Sequence, residues 1–217
     1  MYLKRKNIGK FWPVPRKGTK YLAVPNHNNN EAISLVVVMR DVLKLVRNKK
    51  ELKRLLNEGK ILINNKTIKE TNYPVSLFDI ISIPESKKNY KAILSEHKKM
   101  VFEEVSGKDS ESKIYKVLNK KLISKNKIQF NLMHGRNIIT KEKISVGDSL
   151  VINLRDGKIE KIIPIEKGKE VFINEGKHAG YFGKIEEIVE RGGKMIAKIN
   201  SKEGRVNVWV KNIIAVK

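Results

Sequence analysis

Between Asn48 and Gly59 the chain encodes both ends of one helix and leaves it no room to continue: NKKELKRLLNEG. Asn48 with Glu51 three residues on makes a capping box, and Leu52, Leu55 and Leu56 make an apolar stripe. Gly59 supplies the left-handed stop, so a helix is predicted over residues 49 to 58. KILINNKTI follows, with Ile61 and Ile63 alternating with outward positions until Asn64-Asn65, a tight-turn pair whose second residue tolerates positive φ. A short helix feeding a hairpin has no core of its own, so this stretch needs neighbours in a small α+β unit.

The neighbours are legible on both sides. From residue 31, Leu35, Val38, Val42, Leu45 and Val46 recur at helical spacing despite the β-branched run, and Arg40, Lys44 and Arg47 fall on the opposite side. This predicts a first helix carrying a cationic row. SLFDIISI, residues 76 to 83, has the length and β-branched content of a closing strand. On the second helix Lys49 stacks over Lys53 and Lys50 over Arg54, like-charge i,i+4 pairs that disfavour an isolated helix and point to an external anion. Lys60 extends that group just past the stop.

The rest of the charge agrees. The 217 residues carry 46 Lys and Arg against 23 Asp and Glu, a net charge of +23. An enzyme acting on a small neutral substrate has no reason to carry such self-repulsion, whereas nucleic acid rewards it through counterion release. The first thirty residues hold Lys4, Arg5, Lys6, Lys10, Arg16 and Lys17 with no acid, and Pro13, Pro15 and Pro25 break any helix, so an irregular basic arm is expected. Phe11 and Trp12 in FWPVPR either offer an aromatic platform for a base or staple the arm to its own protein. The longest apolar stretch, LVVVM, is far below the roughly 20 residues that span a bilayer, and no segment has the apolar core of a signal peptide. There is no cysteine, and His27, His97, His134 and His178 lack close metal-ligand spacing. No metal and no cofactor is expected, and the default location is the cytoplasm.

The second half is β-rich. PESKKNYKAILSEHKKM, residues 84 to 100, is a lysine-rich junction, and a central β domain is expected over residues 95 to 167. KIQFNL alternates at Ile128, Phe130 and Leu132, and DSLVINL at Leu150, Ile152 and Leu154. Asp156-Gly157 then predicts a two-residue hairpin turn into KIEKIIPI. HGRNI, residues 134 to 138, is either a turn with a solvated Arg136 or an RNA contact. Beyond residue 168, short strands joined by Gly-rich turns, among them Gly192-Gly193, suggest a small SH3-like barrel.

GKHAGYFG, residues 176 to 183, fails both nucleotide-binding patterns. A P-loop needs four residues between its glycines and then Lys-Ser/Thr, whereas Lys184 is followed by Ile185. The dinucleotide fingerprint needs Gly-x-Gly-x-x-Gly, which Gly176, Gly180 and Gly183 do not supply. These glycines serve the backbone, and Lys177 and His178 are expected at an exposed loop tip.

NKKELKRLLNEGKILINNKTI is similar to the core of the alpha-L RNA-binding domain, which presents two short basic helices to structured RNA. The whole chain resembles the small-subunit ribosomal protein S-four-e family of archaea and eukaryotes: YLKRKNIGKFWPVPRKGTKYLAVPNHNNN its basic N-terminal arm, TNYPVSLFDIISI its strand, HGRNI its central motif. Val171 to Ile185 resembles the KOW motif, in which the glycines mark the loop between the first two strands. It departs from the patterns at Asn65, where many alpha-L domains carry glycine, and at the C-terminus, where eukaryotic members continue further. The resemblance implies an α+β chain of four parts: an arm at 1–30, an alpha-L domain at 31–94, a central β domain at 95–167 and a KOW barrel at 168–217. It implies rRNA of the small subunit and neighbouring ribosomal proteins as partners, with no membrane and no small-molecule substrate. An RNA-modifying enzyme is disfavoured because Glu103-Glu104 and Glu186-Glu187, adjacent on strands, point to opposite faces and share no substrate atom. A KOW-type translation or transcription factor is the other alternative.

Overall fold

The computed structural model describes residues 2–27, 30–107, 109–124, 127–202 and 204–217, which form two compact units, residues 1–113 and 114–217. The chain is mixed α+β and mostly β.

In the first unit the N-terminal segment is docked, not loose. β1 (Leu3–Lys4) pairs antiparallel with β2 (Tyr21–Leu22), Leu3 opposite Leu22 and Lys4 opposite Tyr21. The prolines keep the intervening residues out of α-helix, yet the loop is tied down. Met100 N–H donates to the Phe11 carbonyl at 2.8 Å, and the Lys99 ammonium to the Trp12 carbonyl at 2.9 Å. Trp12 is completely buried in the core of this unit, with Phe11 and Val14 packed against that core.

β3 (Ile33–Ser34) pairs with β6 (Pro74–Val75), and α1 (Leu35–Val37) runs straight into a π-helical turn, Val38–Val42. The longer first helix expected from the spacing is not formed. Leu35 to Met39 are all buried, as a helical run that is apolar all round must be, and the helical turns end at Val42. Lys44 then takes a left-handed φ of 55°, and Leu45, expected inside, is exposed. Arg40, Lys44 and Arg47 therefore do not line up as a helical row.

α2 (Lys49–Asn57) forms as its punctuation demands. Asn48 Oδ1 accepts the Glu51 N–H at 2.9 Å, while the Glu51 carboxylate accepts the Arg47 N–H at 2.7 Å, one residue earlier than a standard box. Gly59 sits at φ 70°, and the bonds Lys60 N–H to Leu55 O and Gly59 N–H to Leu56 O close a Schellman motif. Leu52 and Leu56 are buried. β4 (Leu62–Ile63) and β5 (Lys66–Thr67) are joined by Asn64 and Asn65, both at positive φ, 51° and 59°. They lead a five-stranded sheet with β7 (Ile80–Ile83), β8 (Lys88–Leu94) and β9 (Met100–Val105) in the order β5-β4-β7-β8-β9. The lysine-rich stretch expected as a junction thus contains β8, an interior strand whose Ala92 and Leu94 are buried.

Just before β7 the chain buries an ion pair. Asp79 Oδ1 accepts from the Lys113 ammonium at 2.6 Å, with both side chains nearly inaccessible. Asn64 Nδ2 and the Ser76 N–H complete the carboxylate's shell, each at 2.6 Å. Burial alone pushes the Asp79 carboxyl up, but the Lys113 charge, the Asn64 and Lys113 hydrogen bonds and the Ser76 N–H outweigh it and hold it below the ordinary aspartate value.

The second unit holds two five-stranded sheets. β10 (Ser112–Ser124), β11 (Lys127–Leu132), β12 (Asn137–Thr140), β13 (Ser149–Asn153) and β14 (Ile159–Ile163) run in the order β12-β11-β10-β13-β14. Phe130, Leu132, Leu150 and Ile152 are buried, as their alternation predicts. The β13–β14 turn is longer than the two residues expected: Asn153 N–H bonds to the Lys158 carbonyl, enclosing Leu154 to Gly157. Asn153 Oδ1 accepts the Arg155 N–H at 2.8 Å and stabilises that wider loop.

β15 (Glu170–Ile173), β16 (Phe182–Arg191), β17 (Lys194–Ser201), β18 (Gly204–Trp209) and β19 (Ile213–Ala215) make the other sheet, in the order β18-β17-β16-β15-β19. Lys116 of β10 ties the two together. Its ammonium donates to the carbonyls of Val210, Lys211 and Ile213 at 2.7, 2.8 and 2.7 Å. Burial pushes this ammonium down to about 8, opposed by Glu175 and reinforced by Lys211. Gly183 is required by contact: a Cβ there would lie 2.5 Å from Ile199 Cγ2 and 2.6 Å from the Asn200 carbonyl. Gly183→Ala is expected to destabilise this unit by about 1–3 kcal/mol, the range for overpacking. Thermal melting checks it; an unchanged midpoint would mean that β17 yields at no cost.

Candidate nucleic-acid interface

A surface that grips a polyanion needs cations without counter-ions of their own, presented on rigid backbone. Sorting the basic residues by partner separates them clearly. On α2, Lys49, Lys50 and Lys53 are exposed, and among the described residues no carboxylate pairs with any of them. Arg54, the fourth member of the expected stack, donates to Glu58 at 2.8 Å. Lys60 is shared between Glu58 at 3.1 Å and Glu85 at 3.0 Å. The Arg54 and Lys60 hydrogen bonds hold the Glu58 carboxyl below its ordinary range. The like-charge stacking of Lys50 and Arg54 is therefore partly relieved by an internal acid as well as being open to an outside one.

In the N-terminal segment Lys4, Lys6, Lys10, Arg16 and Lys17 have no acid partner among the described residues. Arg5 is held by neutral acceptors, the Thr19 carbonyl and the Pro15 carbonyl at 2.7 Å each and Thr19 Oγ1 at 3.0 Å, which fix the guanidinium without cancelling its charge. Arg5, Lys17, Arg40 and Lys44 line one cleft of about 740 Å³ between this segment and the turn after α1. Within it Arg40 is chelated by Asp41, with both nitrogen–oxygen distances 2.8 Å, so Arg5, Lys17 and Lys44 carry the cleft's uncompensated charge. Arg47 is exposed beside the start of α2.

Trp12 does not belong to this surface. The ring that the sequence offered as a stacking platform has no exposure, because the apolar indole contributes more inside the core than it would at the surface. The exposed rings of the N-terminal segment are Tyr2 and Tyr21, at 70% and 48%, which meet edge to face at 5.4 Å, with the Lys20 ammonium 5.4 Å from the Tyr21 centroid. Sequence reasoning passed over them, although a signal was present. Tyr-Leu occurs twice, at 2–3 and 21–22, and pairing the two leucines inward turns both tyrosines outward.

In the second unit Arg136 is half-buried, its guanidinium 5.3 Å from the Tyr115 ring centroid and donating weakly to the Tyr115 hydroxyl at 3.4 Å. It follows a turn in which His134 has φ 64°. Lys177 is exposed at its loop tip as expected, but His178 is half-buried with its ring against Tyr181, 6.5 Å between centroids. Gly176 and Gly180, at φ 100° and 98°, bend the loop so that Gly180 N–H returns to the Ile173 carbonyl and His178 folds inward.

Known proteins resemble this chain along most of its length. The sequence pattern described as S4 domain matches residues 35–81, which contain α2 and the β4–β5 hairpin, and that of Ribosomal family S4e matches residues 86–159. Small ribosomal subunit protein eS4 of Methanocella arvoryzae is 37% identical over 190 residues, covering 86% of this chain and 80% of the relative. The eS4 protein of Nanoarchaeum equitans is 31% identical and covers 99% of this chain and 94% of its own length. Among solved structures, the 30S ribosomal protein S4e from Thermoplasma acidophilum superposes with a TM-score of 0.74 at 27% identity, covering 86% of this chain and 95% of that one.

Proposed function

The chain belongs to the Ribosomal family S4e, and on that footing we propose that it is a constituent of the small ribosomal subunit that binds ribosomal RNA and holds its fold during translation. That family is one of ribosomal structural proteins, not a class of enzymes. The observation that carries the RNA reading is the exposed, acid-free trio Lys49, Lys50 and Lys53 on α2, inside the stretch that matches the S4 domain. Such a trio neutralises phosphates where RNA helices approach one another, and each phosphate neutralised releases counterions.

Around it the proposed contact surface takes in Lys4, Arg5, Lys6, Lys10, Arg16 and Lys17 of the N-terminal segment, with Arg47 and Lys44. Arg40, Arg54 and Lys60 serve it by exchanging an internal carboxylate for phosphate. Arg136, Lys177 and His178 make the second unit's smaller contribution. The four-part organisation, with residues 168–217 as a KOW-type SH3-like barrel, is supported by the β15–β19 sheet and by the glycine geometry of residues 176–183. The partners are small-subunit rRNA and adjoining ribosomal proteins, in the cytoplasm.

Gradient sedimentation of a lysate tests the assignment. Stoichiometric recovery in small subunits after a moderate-salt wash is expected. A predominantly free pool, or co-sedimentation with RNA polymerase as a KOW-type factor would show, overturns it.

A further inference from the structure

One surface of the second unit does not suit an RNA contact. Leu118 of β10, Val146 before β13, Met195 of β17 and Trp209 of β18 are each about half exposed, at 51%, 51%, 49% and 48%, and all four line one groove of about 680 Å³. Single exposed apolar residues are ordinary, but four from separate elements converging on one groove mark a recognition surface. Among the described residues no acidic one lines it, and Lys194 and Lys211 stand on it. The Lys194 ammonium lies 4.5 Å from the Trp209 ring centroid. Lys116, beneath, is already committed to three carbonyls.

We propose that this groove docks an extended segment of a neighbouring small-subunit protein, one whose large apolar side chains are flanked by Asp or Glu. The inference rests on the ribosomal reading above. Charge complementarity selects the occupant: the apolar walls ask for apolar side chains, and the cations on the groove ask for carboxylates beside them. A nucleotide base fits poorly. Leu, Val and Met offer no π-face, Lys194 already lies over Trp209, and the polar edges of a base would lose water without gaining partners.

The test uses the full chain with p-benzoylphenylalanine in place of Met195, incorporated into small subunits, washed at moderate salt, irradiated and mapped by mass spectrometry. The expected product is a protein cross-link to an apolar segment with adjacent Asp or Glu. Its yield should fall roughly tenfold when Lys194→Glu and Lys211→Glu place like charges opposite those acids. Both positions are on the surface, and an unchanged melting curve of the free double variant confirms folding. A cross-link to rRNA, a cross-link to a segment without acids, no cross-link at all, or indifference to the reversals overturns the proposal while leaving the ribosomal reading intact. A chain absent from the subunit fraction overturns the ribosomal reading itself, so the two failures are distinguishable.

Discussion

Combining Lys49→Glu, Lys50→Glu and Lys53→Glu lowers affinity for small-subunit rRNA by about a hundredfold or more near physiological salt and flattens its salt dependence. Each lost phosphate contact removes roughly 0.7 to 0.9 from the slope of log K against log salt, so three contacts remove about 2 to 3. The helix itself is not the casualty. Glutamate is a good helix former, and acids in the first turn suit the positive end of the helix dipole, so circular dichroism should be unchanged. Adding Arg54→Glu contributes less than any one of the three lysines, because Arg54 already answers to Glu58. Filter binding or fluorescence titration from low to high salt decides the matter; an unchanged slope moves the RNA contact off α2.

Asp79→Ala has the largest expected effect on folding. It leaves the Lys113 ammonium buried and uncompensated, which costs about 3 to 5 kcal/mol, a large part of the roughly 5 to 15 kcal/mol that holds a domain together. Asp79→Leu with Lys113→Met should recover most of that loss, since a buried ion pair replaced by apolar side chains is often neutral. The pH dependence has a definite sign. The folded carboxyl titrates below its unfolded value, so its contribution is whole above about pH 4 and is lost as pH falls through the folded pKa. The double variant should therefore show a shallower loss of stability in acid than the parent chain. Chemical denaturation at pH 7 and pH 3 measures both effects; equal acid sensitivity would assign acid unfolding to other carboxylates.

The elements legible in the sequence were those specified locally. Asn48, Glu51 and Gly59 state the limits of α2, Asn64-Asn65 states a hairpin, and Phe130, Leu132, Leu150 and Ile152 state their faces by alternation. What failed depended on distant partners. Leu35 to Val46 has helical spacing, but the helical run ends at Val42 and Lys44 turns to a left-handed φ, a backbone choice that the periodicity does not encode. The Asp79–Lys113 pair joins residues far apart in the chain, with nothing local to announce it. Of the candidate interface, the outward Lys49, Lys50 and Lys53 of α2 and the absence of acids from the first thirty residues could be read directly. The internal pairing of Arg40, Arg54 and Lys60, the burial of Trp12 and the inward His178 could not, because each is decided by a packing choice that composition leaves open.

The docking of the N-terminal segment changes what removing it would mean. Trp12 is a full member of the first unit's core, and Arg5 is fixed by three neutral acceptors before any RNA arrives. In the proposed complex residues 2–24 would meet RNA as a preorganised surface, so that little ordering cost weakens or delays the encounter. A truncation that begins the chain at Pro25 would also be no clean deletion of charges. It would open the domain at the site of its largest fully buried side chain, and a weakened complex would report misfolding and lost contacts together. Point substitutions at the exposed Lys6, Lys10, Arg16 and Lys17 separate the two.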